Sequence, residues 1–149
     1  MVNLEIKKTN GLDIDLMRQF LCYEDKTQHL KYGRFDVSFY EEYDKVYYYV
    51  IRDVNQRREI GYCIITEEEN ASGGLPYFAI QEFLIMPAYR GIGVGTHAIK
   101  QIVDDICGRG YYMVCPLDTN QAKNFWQKVS NMYTKHTYEN GTFYFDKIN

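Results

Sequence analysis

Arg90-Gly91-Ile92-Gly93-Val94-Gly95 lies between a strand-like apolar run, Phe78 to Met86, and a helix-like run, Thr96 to Arg109. Three glycines in five residues leave backbone N–H groups unshielded where a helix begins. The first N–H groups of a helix lack carbonyl partners and the helix dipole adds partial positive charge, so such a loop can hold a phosphate. Arg90 adds a full charge at its edge. Two familiar phosphate loops are excluded. A Walker A loop needs lysine before Ser/Thr, and Thr96 follows Gly95 directly. A dinucleotide fingerprint needs Gly-x-Gly-x-x-Gly with an acidic residue about 20 positions on; here the glycines alternate strictly and Tyr111 to Cys115 carries no acid. On these residues alone, a glycine-rich turn without a ligand stays open beside the phosphate cradle.

The elements that must position this loop can be read from periodicity. Leu4 and Ile6 alternate with polar residues as a short strand. Asp13 is placed to cap a helix with apolar positions Leu16, Met17, Phe20 and Leu21. A second helical piece is expected over Val37 to Tyr43. Lys45 to Asp53 and Ile60 to Thr66 read as an antiparallel hairpin around Asn55. Tyr77 to Met86 is the fourth strand, stopped by Pro87. After the loop, Val94, Ala98, Ile99, Ile102, Val103 and Ile106 share one helix face, which Gly108 or Gly110 ends. Tyr111 to Leu117 is apolar enough for an interior parallel strand. Asp118 and Gln121 suggest a capping box for a helix whose apolar face is Ala122, Phe125, Trp126, Val129 and Met132. Tyr133 to Tyr138 and Thr142 to Phe145 form a final hairpin around Asn140-Gly141. The order β-α-α-β-β-β-α-β-α-β-β predicts an α/β fold: one mixed, twisted sheet of six to seven strands flanked by four helices. The strands on either side of the loop and its helix should be parallel.

Length and composition bound the rest. The chain has 149 residues, enough for a single domain over 1–149 with its own core. Its formal net charge of −3 argues against a dedicated nucleic-acid binder, which needs a basic stripe. Aromatic residues make up 16% of the chain, and 15 of them are tyrosines, suited either to a core that also faces a polar ligand or to edge and surface packing in a twisted sheet. The four cysteines form no Cys-x-x-Cys pair and have no histidine at zinc-like spacing, so no metal site is expected. No secretory apolar segment follows Met1, and no apolar run approaches the ~18 residues of a membrane span. These features predict a reduced, cytoplasmic protein with no membrane partner.

Loop and element order together resemble the GNAT superfamily of acetyl-coenzyme A-dependent N-acetyltransferases. The family signature Arg/Gln-x-x-Gly-x-Gly/Ala between the fourth strand and the next helix is matched by residues 90–95. The run Glu82 to Tyr89 is similar to the family's fourth strand, and Ala122-Lys123-Asn124-Phe125-Trp126 is similar to its Ala-x-x-Phe/Leu-Tyr segment. These motifs cover about residues 80–130, the element order nearly the whole chain. The resemblance implies acetyl-coenzyme A as co-substrate, its pyrophosphate on the N–H groups of Gly91, Ile92, Gly93, Val94, Gly95 and Thr96 beside Arg90. It implies a pantetheine arm along the backbone of Leu84, Ile85 and Met86, where the two parallel strands splay. Asn124 would face the cofactor, and Lys128 would either reach a phosphate or sit in solvent.

Direct attack on a thioester needs a neutral amine. A lysine-type amine is neutral at about one part in a few thousand at pH 7, a cost of roughly 4–5 kcal/mol. Glu82, an acid interrupting an apolar strand, is the candidate base; the alternative is that it binds a cationic substrate or pairs with an arginine. A tyrosine often serves the family as general acid where this chain has Trp126, whose indole is too weak an acid. Tyr133 could substitute, or be core, and water could protonate a thiolate leaving group. Thr119 stands where the family often has asparagine. Cys115 has no visible base to activate it, and His97 falls on the polar helix face.

The acceptor is expected to be a small-molecule or peptide amine. Its groove would be built by residues 25–45, the 67–75 loop and the 134–142 hairpin. Tyr32, Phe35, Tyr40, Tyr43, Glu41 and Glu42 would give a cation-friendly lining. A non-catalytic acyl-coenzyme A-binding regulatory module is the alternative function, and a component acting on charged tRNA is disfavoured by the net charge. Homodimer formation is left open.

Overall fold

In the computed structural model, which describes residues 2–26 and 36–149, seven strands form one sheet. They are β1 (Leu4–Thr9), β2 (Lys45–Asp53), β3 (Arg58–Glu68), β4 (Tyr77–Ile85), β5 (Gly110–Val114), β6 (His136–Glu139) and β7 (Thr142–Lys147). Their spatial order is β1-β2-β3-β4-β5-β7-β6. Every pairing is antiparallel except β4 with β5, which the βαβ connection makes parallel as expected. The Asn140-Gly141 turn has φ of 51° and 80°, the left-handed pair that a tight hairpin requires.

Three α-helices pack on this sheet: α1 (Gly11–Glu24), α2 (Val94–Gln101) and α3 (Asn120–Ser130). The four expected helices thus become three among the described residues. Ser38–Glu42 is a 3-10 turn, not an α-helix. The long helix after the loop is α only to Gln101 and widens into a π segment over Ile102–Cys107, ended by Gly108 at φ 84°. Asn10, not Asp13, caps α1, accepting from the Asp13 N–H; Thr119, not Asp118, caps α3, accepting from the Ala122 N–H. Asp118 instead pairs with Lys123. In both cases the residue nearest the first free N–H displaced the acid that composition favoured.

One rotation differs from expectation. Leu16 and Phe20 are exposed, while Ile14, Leu21, Cys22 and Arg18 form the buried side of α1. A buried arginine on that side is explained by its partner, the carboxylate of Glu82 on the sheet beneath.

The core divides into two clusters, one on each side of the sheet. Ile14, Leu21, Tyr62, Ile64 and Leu84 pack with α1, whereas Ile65, Phe78, Ile80, Ile99, Val103 and Trp126 pack with α2 and α3. Strand β4 serves both. Ile64 pairs with Glu82 but its neighbour Ile65 pairs with Ile80, so Gln81 is an extra residue, a β-bulge. Before the bulge, Phe78 and Ile80 face α2 and α3; after it, Glu82 and Leu84 face α1. No helix among the described residues is long and apolar enough to cross a membrane.

Candidate active site

Strands β4 and β5 pair only from Tyr77/Tyr111 to Ala79/Met113. Beyond that point they separate, and the gap is a cleft of about 490 Å³. Its walls are the open edge of β4 from Ile80 to Ile85, the chain after β5 from Val114 to Leu117, and α3. The bulge at Gln81 starts the divergence. Strand alternation decides which β4 groups face the gap. The Met86 N–H donates to Ile60 O on the β3 side, so the N–H groups of Phe83 and Ile85 fall on the open edge. Of the three expected pantetheine positions, Leu84 and Ile85 line the cleft and Met86 does not. Phe83 is the cleft residue that periodicity did not single out; its ring stacks on Phe125 of α3.

The glycine loop closes one end of the cleft. Gly91 and Gly93 have φ of 78° and 85°, so the chain turns through left-handed conformations that an L side chain resists. The first helical bond of α2 runs from His97 N to Gly93 O, which leaves the N–H groups before it at the helix mouth. Gly91, Gly93, Gly95 and Thr96 line the cleft; Ile92 is exposed and Val94 is buried in the α1-side core. A Cβ on Gly95 would stand 3.0 Å from Phe125 Cε1, so glycine lets α2 and α3 approach closely there. Asn124 and Lys128, one turn apart on α3, both line the opposite wall. Arg90 is turned partly inward. Its Nε donates to Ile85 O at 2.7 Å and its outer nitrogen pairs with Asp25, a buried residue at the end of α1. Asp25 was not foreseen, because no local pattern links it to a loop 65 residues away.

Glu82 lies at the bottom of the cleft, 3% exposed, as the centre of a buried polar cluster. Its Oε1 accepts from Arg18 Nε at 2.8 Å and from Tyr62 OH at 2.9 Å, and its Oε2 accepts from Tyr40 OH at 2.6 Å. Burial works against the charge on Arg18, but Glu82, Tyr62 and Tyr40 more than restore it, so the guanidinium pKa lies above its ordinary value. Of the roles open to Glu82 on sequence, base, binder of a cationic substrate or arginine partner, the pairing with Arg18 is present.

Tyr133 is not brought to the cleft. Its ring stacks on Phe145 and its hydroxyl donates to Asp104 at 3.1 Å, on the π segment after α2. Burial, then the Asp104 carboxylate, pushes its pKa up. Trp126 does line the cleft, edge-on to Phe83 and Phe125. Cys115 lines it too and is exposed, whereas His97 is in solvent.

A second groove, about 380 Å³, adjoins the first and shares Ile80, Gln81 and Cys115 with it. Tyr43 and Glu68 line it, one from each of the segments 25–45 and 67–75. Tyr40 instead points into the Glu82 cluster, and Tyr32 and Phe35 lie outside the described residues. The 134–142 hairpin lines neither groove.

A family model described as "Acetyltransferase (GNAT) family" matches residues 14–131. Solved structures with similar folds include an acetyltransferase from Thermus thermophilus, 14% identical, covering 97% of each chain at a TM-score of 0.64. An aminoglycoside acetyltransferase, meta-AAC0020 from an uncultured soil metagenomic sample, solved with sisomicin, is 14% identical, covering 91% of this chain and 93% of its own at 0.62. AtaTR bound with AcCoA is 16% identical, covering 97% and 94% at 0.59. No curated protein matches the sequence. The family match spans most of the chain and contains both the glycine loop and the splayed strand pair: the chain belongs to the GNAT acetyltransferase family.

Proposed function

We propose that the protein is an N-acetyltransferase that moves acetyl from acetyl-coenzyme A to a primary amine by direct attack in a ternary complex. The observation that carries this reading is the cleft between β4 and β5, open along a strand edge and closed by a helix N-terminus. A thioester carrier with a pyrophosphate suits that shape. Its diphosphate would meet the N–H groups of residues 91–96, with Lys128 across the cleft, and its amide-bearing arm would pair with the β4 edge in place of the missing strand. The acyl-coenzyme A co-substrate accords with the family and with the AcCoA-bound neighbour.

In the reaction the neutral amine attacks the thioester carbon. A C–N bond forms, the carbonyl oxygen takes up negative charge, and a β4 backbone N–H on the open edge, from Phe83 or Ile85, stabilises it. Collapse breaks the C–S bond. The proton lost by nitrogen goes to water and the thiolate, whose pKa of about 8.5 lets it leave without a dedicated acid, is reprotonated from water. Tyr133 is therefore assigned to packing, and Trp126 to the wall of the acyl pocket. Glu82 would have to exchange one of its three donors for substrate to act as base, so its ion-pair role with Arg18 is the one we propose.

Free-thiol release on mixing purified protein, acetyl-coenzyme A and a panel of primary amines tests the reading. Amine-dependent release supports it. Calorimetric binding of acetyl-coenzyme A with no release from any amine would instead identify a non-catalytic acyl-coenzyme A-binding module.

A further inference from the structure

The groove beside the cleft carries polar side chains at both ends. Before the bulge, Tyr77, Ala79 and Gln81 face the α1 side of the sheet, opposite to Phe78 and Ile80. Register pairs Glu68 with Tyr77 and Thr66 with Ala79, so the β3 residues lining the groove stand beside them in order. At the inner end, where groove meets cleft, Gln81 Nε2 donates to Thr66 Oγ1 at 2.9 Å. Thr66 is 1% exposed, so this bond fixes the amide and leaves Gln81 Oε1 as its remaining acceptor. At the outer end stand the Glu68 carboxylate and the rings of Tyr43 and Tyr77. Two acceptors of positive charge thus mark the two ends of one groove. Because the Gln81 amide lies against Thr66, two residues along β3 from Glu68, roughly 7 Å separates the two ends.

We propose that this groove recognises an unbranched aliphatic diamine or longer polyamine: Gln81 Oε1 accepts from the reacting amine, and Glu68 with Tyr43 and Tyr77 holds the distal ammonium. The inference rests on the acetyl-transfer reading and names its acceptor class. A carboxylate and two aromatic faces suit a distal cation, and the strand-walled path with Ala79 and Ile80 along it suits a methylene chain. A monoamine of equal length fills the same path without the distal charge.

The test compares butylamine, diaminobutane and diaminooctane by thiol release, with calorimetric binding of acetyl-coenzyme A measured alongside. Diaminobutane should show a KM roughly fivefold below that of butylamine, the limit set by one exposed ion pair, and diaminooctane, whose second ammonium overshoots Glu68, should not improve on diaminobutane. Glu68→Gln should bring the diaminobutane and butylamine values together, while Glu5→Gln on the far edge strand keeps them apart. Equal KM values in the native protein, or a difference that survives Glu68→Gln, would overturn the diamine assignment and leave acetyl transfer standing. Acetyl-coenzyme A binding with no thiol release from any of the three would overturn both.

Discussion

Arg90 of the glycine loop is paired with Asp25 at the C-terminal end of α1, so the loop's positive charge is shared between the cleft and a buried carboxylate. A phosphate entering the cleft would compete with Asp25 for the same guanidinium. Asp25→Asn should therefore tighten acetyl-coenzyme A binding several-fold at low salt while lowering the melting temperature, since the pair also ties α1 to the loop. Calorimetry at two ionic strengths checks this. Unchanged or weaker binding would mean that Arg90 braces Ile85 O and takes no part in holding phosphate.

Glu82→Gln leaves the Arg18 guanidinium buried against a neutral amide. Breaking a buried pair in this way costs about 3–5 kcal/mol, and thermal melting should show a loss of that order. The pH–rate profile of the folded fraction should keep its shape. A displaced acidic limb would return Glu82 to the role of base.

The glycine loop makes two separable predictions. Gly95→Ala puts a methyl 3.0 Å from Phe125, which is stacked on Phe83, and should cost about 1–3 kcal/mol while narrowing the cleft. Gly93→Ala meets open space but sits at φ 85°, a strain of roughly 1–2 kcal/mol at the mouth of α2. Melting curves with and without coenzyme A distinguish them: the first should lose more of the ligand-induced stabilisation.

Alkaline stability has a definite sign. Burial, offset in part by the Tyr49 hydroxyl, pushes the Cys107 thiol from 9.0 up to about 11. Burial and the Glu67 carboxylate push Tyr47 from 10.0 up to about 12. Both groups lose their protons more readily when unfolded, so their contribution is complete below about pH 9 and is lost as pH rises from 9 to 12. Urea midpoints should fall across that window, and Cys107→Ala should flatten its lower half.

Much of this was legible in the chain. The glycine loop, the strand–loop–helix unit and the parallel pairing of β4 with β5 all follow from local pattern. So does the buried face of α2 and the π segment after it, from Val94 to Val103. What pattern missed depends on partners distant in sequence. Leu16 and Phe20 look like a core face, but the Arg18–Glu82 pair, 64 residues apart, turns α1 so that they meet solvent. Tyr133 looks free to act until Asp104 is seen at its hydroxyl. The bulge at Gln81 hides because Phe78, Ile80, Glu82 and Leu84 have the spacing of a single face, and only the pairing with β3 shows that the face changes midway.

That bulge gives β4 one residue more than its ladder with β3 requires. Removing Gln81 would leave Ile80 opposite Ile65 and Glu82 opposite Ile64 in an unbroken ladder, each side chain still on its present face. Both cores and the Arg18–Glu82 pair would survive that loss. The bend that an extra residue puts into a strand would not. The two cores thus depend on which residues β4 carries, and the cleft beside β5 on how many.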